Sequence, residues 1–432
     1  MNTPNLFLEN HLRSMNKKLI FRLDWLSIFF YIALVIFGMI NIYSTRLSES
    51  DIAVWDLGSP VGKQLWIFVF CLFILPAILY IKSNFFEHLS YVFYGLSLLS
   101  LIGLFIFGQT ISGATSWYLI GGFSLQPSEF AKITTALVVA SNLSSLQTDI
   151  KKKLHLSKVL FLISLPMVLT ILQPDAGSAL VFLGIFFVLI REGLDLRYLY
   201  LFIGLLLIFI LTLVLDPFLI SIGGLFLIFF FYLFVKRIAP KTKKLPFLIS
   251  FGICILFSFS VNFIFTSVFE QRHRDRFNII LGLETDTRGI GYNINQSKIA
   301  IGSGGFYGKG FLNGTQTKGD FVPEQDTDYI FSTIGEEWGF VGSSLLVILF
   351  TLFILRILYR AEKHTATYSR VFSYAFASYI FIHFFVNIGM TLGLVPTVGI
   401  PLPFVSNGGS SLLAFSFMLF IYLNFDANRL NT

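Results

Sequence analysis

Long apolar runs alternate with short polar segments along most of the chain. A membrane-spanning helix needs about 20 mostly apolar residues, and many of the runs reach that length. The pattern predicts about twelve spans, at residues 25–45, 64–81, 88–107, 128–146, 158–172, 177–190, 198–214, 217–235, 246–268, 338–359, 371–393 and 409–424. The boundary at Leu215-Asp216-Pro217 stays open, because one long kinked helix could replace two spans there.

Composition agrees with an all-α, polytopic integral membrane helix bundle. Hydrophobic residues make up 55% of the 432 and charged residues only 13%, whereas a soluble domain carries roughly a quarter charged residues. No small-residue cleavage site follows the first apolar run, so we expect a retained span. Cys71 and Cys254 lie within apolar runs and indicate neither a disulfide framework nor a metal cluster.

The net charge is +7, and the basic residues lie mainly in short loops between the spans. This placement indicates how the chain is oriented in the membrane, and it does not indicate a nucleic-acid partner. Basic residues concentrate before residue 25 and in loops near 151–158, 191–197, 236–244 and 356–370. The positive-inside rule places these segments in the cytoplasm. Both termini are then cytoplasmic, and the glycine-rich segment 269–337 lies outside the cell.

The segment 269–337 is the longest interruption of the apolar pattern. Structureless connections of this length are uncommon unless they have a function, and loops on a rigid scaffold often carry binding and catalytic residues. The predicted organisation is a cytoplasmic N-terminus (1–24), a first membrane bundle (25–268), an extracytoplasmic catalytic loop (269–337), three last spans (338–424) and a cytoplasmic C-terminus (425–432).

Ionisable residues begin or end spans on the predicted outer side. Pro127 suits the first turn of a helix, and Glu129 and Lys132, three residues apart, then share one face. Ionisable groups at membrane depth are costly and often mark functional sites, so we expect Glu129, Lys132 and Asp175 to line one cavity. Simpler readings are a first-turn carboxylate offsetting the helix dipole, a lysine that only pairs with it, and Asp175 as a helix cap.

In their order along the chain, the outer segments resemble the SEDS family of bacterial wall polymerases, RodA and FtsW. The resemblance runs from Trp25 to Phe425 and rests on Gly113-Ala114 with Trp117, 126–132, Gln173-Pro174-Asp175, Gly291-Tyr292, Gln296-Ser297, 301–305, Gly308-Lys309-Gly310, Pro323-Glu324, 327–331, Glu336-Glu337, 401–406 and Gly408-Gly409. The run Gly314-Thr315-Gln316 is similar to the elongation-type RodA branch.

The resemblance implies a bundle core of about ten spans, which leaves an extra pair near 198–268. It implies a peptidoglycan glycosyltransferase of the bacterial plasma membrane that polymerises lipid II into glycan strands and releases undecaprenyl diphosphate, for cell-wall elongation and cell shape. The implied partners are lipid II, the growing strand, membrane lipids, the elongation machinery and a class B penicillin-binding protein that acts as transpeptidase.

The resemblance also places the family's essential loop aspartate at Asp286. Three positions depart from the family pattern: Thr287 replaces the usual proline, Ser116 replaces a basic residue before the tryptophan, and Asn407 replaces an aromatic residue before Gly-Gly. None of these departures touches the acidic and lysine positions. From its neighbours alone, Asp286 could instead be part of a solvated turn with an Asp–Arg pair.

Polymerisation of an α-linked sugar diphosphate into a β-linked strand inverts the anomeric centre. One carboxylate suffices as the base, because the departing diphosphate needs no proton, unlike the leaving group in glycoside hydrolysis. We hypothesise that Asp286 accepts the proton of the acceptor's 4-hydroxyl. Trp117 and Ser406 are expected on the cavity wall.

The diphosphate needs positive charge, for which Arg288, Lys298 and Lys132 are the candidates. A divalent cation, Mg²⁺ or Mn²⁺, bridging the diphosphate to Glu129 or Asp175 is the alternative; no other cofactor is expected. Two other functions stay open: a flippase for lipid II, which needs polar groups in both leaflets, and a non-catalytic scaffold that activates a penicillin-binding protein and tolerates conservative change at Asp286.

Overall fold

The computed structural model describes residues 22–46, 55–111, 113–145, 149–239, 241, 243–268, 271–283 and 289–429. The first helices are α1 (Trp25–Thr45), α2 (Pro60–Tyr80), α3 (Ser83–His88) and α4 (Ser90–Phe107), followed by strands β1 (Gln109–Ile111), β2 (Ala114–Ile120) and β3 (Phe123–Leu125). The next helices are α5 (Pro127–Ser144), α6 (Lys153–Leu172), α7 (Ala176–Val181) and α8 (Ile185–Arg191), with a 3-10 turn at Phe182–Gly184. Helices α9 (Leu196–Val214), α10 (Pro217–Ile238) and α11 (Leu245–Phe263), with a π-helical turn at Ile264–Val268, come next. The last helices are α12 (Gln271–Ile280), α13 (Ile290–Ser303), α14 (Thr315–Lys318), α15 (Ile330–Ala361), α16 (Thr367–Thr391) and α17 (Gly409–Asn428).

The all-α membrane architecture is confirmed. Ten of the described helices are long and apolar enough to cross a membrane. Two of the predicted spans lie outside that set: α5 has the required length but is more polar, and the span at 177–190 is a shorter helical segment, 176–191, interrupted by the 3-10 turn. Each of the predicted spans nevertheless corresponds to helix.

The open boundary at Leu215-Asp216-Pro217 resolves into two helices. Helix α9 ends at Val214, and α10 begins at Pro217, whose fixed φ suits the first helical position. The Asp216 side chain accepts a hydrogen bond from the Phe218 amide at 2.7 Å and caps α10. The polar break therefore separates two spans, as predicted.

A small antiparallel sheet between α4 and α5 was missed by the sequence analysis. Strands β1, β2 and β3 pair in chain order, with Gln109 opposite Trp117 and Tyr118 opposite Leu125. Gly121 and Gly122 both have positive φ and form the tight turn between β2 and β3. The sheet leads directly into the first turn of α5.

The predicted loop 269–337 contains helix in its described part. Helices α12, α13 and α14 lie within it, and α15 begins at Ile330, before the predicted span start at 338. Helix α15 is interrupted at Gly339, whose φ of 63° and ψ of −158° are not helical.

The chain divides into two compact units. The first comprises Met1–Gly193, Asn295–Leu392 and Val398–Thr432, and the second comprises Leu194–Ile294 with Gly393–Thr397. In the second unit α11 packs against α9 and α10. In the first unit α16 and α17 are the most deeply buried of the long apolar helices, and α5 packs against both.

Ion pairs close one end of the first unit. Asp24, just before α1, accepts hydrogen bonds from the Arg356 guanidinium of α15 at 2.7 and 3.0 Å. Asp426 of α17 pairs with Arg360 of α15 and with Arg429. Both carboxylates are buried. This end, which we name the basic end, therefore joins the start of α1 to the ends of α15 and α17.

Candidate functional site

The predicted Glu129–Lys132 pair exists and is almost completely buried. Lys132 Nζ lies 2.7 Å from Glu129 Oε1, and the two side chains are 1% and 2% exposed. Pro127 occupies the first helical turn of α5, so residues 129 and 132 fall on one face, as their spacing predicted. The pair lies at the end of the first unit opposite the basic end; we name it the site end.

His383 of α16 is the third member of this cluster, and the sequence analysis missed it. Its Nε2 lies 2.9 Å from Lys132 Nζ, and its Nδ1 lies 2.9 Å from the carbonyl oxygen of Pro401. The ring also meets Phe415 at a centroid distance of 4.9 Å. The signal was present in the sequence, because an ionisable residue inside an apolar span marks a functional site.

One carboxylate oxygen of this cluster has no partner in the part of the chain that the structure describes. Among the described residues, no hydrogen bond reaches Glu129 Oε2, although the atom is buried. A buried carboxylate oxygen without a donor is costly. The cluster therefore offers an acceptor atom for a donor that approaches the start of α5.

Glu129 and Asp175, the two candidate metal ligands, already have protein partners. Within them, no group of three or more His, Cys, Asp or Glu side chains is placed to hold a metal ion. The ammonium of Lys132 already occupies the cation position at Glu129 Oε1. Asp175 accepts from the Ser178 amide at 3.0 Å and from Gln126 Nε2 at 2.8 Å.

Asp175 caps α7, as the simpler interpretation of this residue predicted. It also accepts a hydrogen bond from Gln126, the residue that precedes α5. Its bond to Gln126 Nε2 brings the Gln173-Pro174-Asp175 turn beside the residue that precedes Pro127. The Gln126 amide donates to Ser410 Oγ of α17 at 3.1 Å. The starts of α5, α7 and α17 therefore meet at the site end.

The hairpin that carries Trp117 is attached to the same end. The Thr115 amide donates to the Gln173 carbonyl at 3.1 Å, and Ser410 Oγ donates to the Ser124 carbonyl at 2.7 Å. Trp117 is half-buried in β2, and the adjacent Ser116 is buried. Partial burial raises the pKa of the Tyr118 hydroxyl above its usual value, and that hydroxyl donates to the Ser100 carbonyl.

Ser406 holds the last loop in place. Its Oγ donates to the Thr327 carbonyl at 2.6 Å and accepts from the Leu402 amide at 2.8 Å. Asn407 donates from its backbone to the Asp326 carbonyl at 2.8 Å and from Nδ2 to the Asp326 carboxylate at 3.0 Å. Within the loop 396–411, the residues that belong to the first unit are thereby bound to the segment before α15.

Glu336 holds the glycine-rich segment against α15. Its carboxylate accepts from Lys309 Nζ at 2.7 Å, from the amides of Gln316 and Thr317 at 2.8 and 2.9 Å, and from Thr317 Oγ1 at 2.8 Å. The backbone passes so close to the kink that a Cβ on Gly308 would lie 2.1 Å from the Glu337 carbonyl oxygen. Neither glutamate caps α15, since the helix begins after Tyr329 without a side-chain cap.

Two predicted site residues, Asp286 and Arg288, lie outside the described residues, as does Thr287. Lys298 is exposed on α13. The structure thus brings Glu129 and Lys132 into contact, joins Asp175 to the residue before α5, and places Trp117 and Ser406 on segments bonded to the same end.

Comparison with known proteins gives one family. A family model named for FtsW, RodA and SpoVE and described as "Cell cycle protein" matches residues 24–219 and 194–431. The peptidoglycan glycosyltransferase RodA of Treponema pallidum is 32% identical over 411 residues, which cover 90% of this chain and 94% of the relative. The peptidoglycan glycosyltransferase MrdB of Escherichia coli K12 is 31% identical over 379 residues, which cover 87% of this chain and 89% of the relative.

Two solved structures share the fold. One, described as "Structural coordination of polymerization and crosslinking by a peptidoglycan synthase complex", matches with a TM-score of 0.69 and 26% identity, over 95% of this chain and 99% of that chain. The rod shape determining protein RodA of Thermus thermophilus matches with a TM-score of 0.61 and 24% identity, over 94% of this chain and 97% of that chain.

Proposed function

Since the chain belongs to the FtsW, RodA and SpoVE family and is a multi-pass membrane peptidoglycan glycosyltransferase, we propose that it polymerises lipid II at the site end. The observation that supports this assignment is the buried Glu129–Lys132–His383 cluster at the site end. It combines an ammonium with a carboxylate oxygen that has no hydrogen-bond partner among the described residues. A cluster of this kind has donors and an acceptor for a sugar diphosphate and its hydroxyl groups.

In the proposed reaction, residues of the segment 269–337 and residues of the Glu129–Lys132–His383 cluster have separate roles. Asp286 accepts the proton of the acceptor sugar's 4-hydroxyl as that oxygen attacks the anomeric carbon, and the diphosphate leaves as an anion. Arg288 and Lys298 of the loop, with the remaining N–H of Lys132, stabilise the diphosphate. Glu129 Oε2 accepts a hydrogen bond from a substrate hydroxyl. No step is assigned to a divalent cation.

The proposed orientation puts the site end outside the cell. Arg356, Arg360 and Arg429 lie at the basic end, which by the positive-inside rule faces the cytoplasm. Both chain termini then face the cytoplasm. The site end contains the starts of α5, α7 and α17, so the hairpin and the loop 396–411 face outward together.

The proposed partner is a class B penicillin-binding protein. The structural neighbour described as a peptidoglycan synthase complex coordinates polymerisation and crosslinking, and a chain with the same fold is suited to a similar assembly. The partner would supply the transpeptidase, within the machinery of cell-wall elongation.

The test uses the full chain in lipid nanodiscs with fluorescent lipid II, with and without the penicillin-binding protein, and follows glycan length on gels. We expect Asp286→Asn to make no polymer while it still binds lipid II. Asp275→Asn is the matched control, because Asp275 is an acidic residue of α12 in the same segment 269–337. This variant should polymerise at close to the parent rate.

Each alternative has its own outcome. Full activity of Asp286→Asn would refute the assignment of the base, and loss of activity in Asp275→Asn alone would move that role to Asp275. A chain that makes no polymer but stimulates the partner's crosslinking is a scaffold. Movement of lipid II across vesicle membranes without polymerisation would indicate the flippase.

A further inference from the structure

We infer that His383 is a positioning residue: it fixes the direction of the Lys132 ammonium and couples that lysine to the loop 396–411. The inference rests on the proposed function for its role in catalysis. The protonation state of the imidazole and its hydrogen-bond partners follow from the geometry alone, and they can be tested separately.

The two contacts of His383 define its tautomer. The carbonyl oxygen of Pro401, 2.9 Å from Nδ1, can only accept a hydrogen bond, so Nδ1 carries the proton. Lys132 Nζ, 2.9 Å from Nε2, can only donate, so Nε2 is the acceptor. The ring is therefore a neutral imidazole between a donor and an acceptor, and the carbonyl contact selects which nitrogen faces Lys132.

The same contacts restrict Lys132. A lysine ammonium is a compact charge on a flexible stem and has three N–H donors. Glu129 Oε1 takes one at 2.7 Å, and His383 Nε2 takes another. The Phe415 ring lies 5.1 Å from Nζ and closes a further side by a cation–π contact. Among the described residues, one N–H of the Lys132 ammonium is left without a hydrogen-bond acceptor.

His383 also connects the lysine to the last loop. Pro401 belongs to the loop 396–411, which Ser406 and Asn407 bind to residues 326 and 327. These residues precede α15, at the end of the segment that carries Asp286. A shift of this loop would change the position of the imidazole and, through Nε2, that of the ammonium.

Two substitutions separate the two bonds of the ring. His383→Gln places an amide oxygen near the position of Nε2, so it keeps an acceptor for Lys132 and loses the donor to Pro401. His383→Asn places an amide nitrogen near the position of Nδ1, so it keeps the donor and loses the acceptor. If the acceptor positions Lys132, Gln should retain activity and Asn should not.

The expected numbers follow from a hydrogen bond to a charged group. Loss of such a bond in His383→Asn should lower kcat by about ten- to hundredfold. The KM for lipid II should change by less than about threefold, because the Lys132 ammonium remains. His383→Gln should stay within about threefold of the parent kcat. Equal losses in both variants, with equally lowered unfolding midpoints, would show a structural role and overturn the inference.

A second measurement does not depend on glycan synthesis. The imidazole ¹⁵N shifts of His383, assigned by comparison with His383→Gln in labelled protein in nanodiscs, should report a neutral ring protonated at Nδ1. The Nε2 resonance should move in Lys132→Met. An imidazolium, or a ring protonated at Nε2, would overturn the inference even if the chain polymerises lipid II. The expected shifts in a chain that makes no polymer would refute only the proposed function.

Discussion

Removal of Lys132 should destabilise the protein far more than removal of the whole Glu129–Lys132 pair. Lys132→Met keeps the apolar stem and deletes the ammonium. It leaves the Glu129 carboxylate 2% exposed. Its Oε1 loses the Lys132 partner, and its Oε2 already has no partner among the described residues. Breaking a buried ion pair from one side costs about 3–5 kcal/mol, whereas replacing both charges by neutral groups is often close to neutral.

A double-mutant cycle measures the difference. Lys132→Met should lower the free energy of unfolding by about 3–5 kcal/mol, and Glu129→Gln by about 1.5–3 kcal/mol, since the ammonium keeps His383 as an acceptor. The double variant should be more stable than Lys132→Met alone, so its cost should fall well short of the sum of the two single variants.

The assay is equilibrium unfolding in mixed micelles at increasing fractions of sodium dodecyl sulfate, followed by circular dichroism. Arg197→Met is the matched control, because the Arg197–Asp195 pair is 85% and 42% exposed and such pairs contribute about 0–1 kcal/mol. Additive effects of the two single variants, each below about 1 kcal/mol, would refute the reasoning that the buried pair is coupled.

Three further predictions concern other contacts. Glu336→Gln, which replaces an acceptor of several hydrogen bonds by a group with its own N–H donors, should speed amide hydrogen exchange in residues 304–318 by about tenfold or more, and unchanged exchange would contradict that role. Gly339→Ala should lower the unfolding midpoint, because a residue with a side chain at φ 63° and ψ −158° costs about 1–3 kcal/mol and its Cβ would lie 2.2 Å from the Gly308 nitrogen. Gly302→Ala, where a Cβ meets open space, is the control, and equal midpoints for the two variants would show that the kink tolerates a side chain. Arg356→Gln should cost about 3 kcal/mol in the same micelle assay, and Asp24→Asn in that background should restore part of the loss; no restoration would mean that the two residues are not coupled.

Features formed by residues close together in the chain could be predicted from sequence spacing alone. The spans followed from apolar length, and the Glu129–Lys132 pair followed from a separation of three residues after a helix-starting proline. The Asp216 cap, which was not predicted, also involves only neighbouring residues. Such features depend on backbone geometry that the sequence specifies locally.

Contacts between distant residues were not predictable in the same way. His383 meets Lys132 across 251 residues, and Asn407 meets Asp326 across 81. Their pairing depends on how the helices pack, which a single sequence does not reveal. The hairpin was missed because it is short and adjoins an apolar span.

The pairing of Asp24 with Arg356 has a consequence for biosynthesis, since 332 residues separate the two side chains. The ribosome completes the first span long before the arginine has been translated. Until then the Asp24 carboxylate lacks the Arg356 guanidinium that it binds in the folded protein, so this end of the first unit is completed only after α15 has been synthesised.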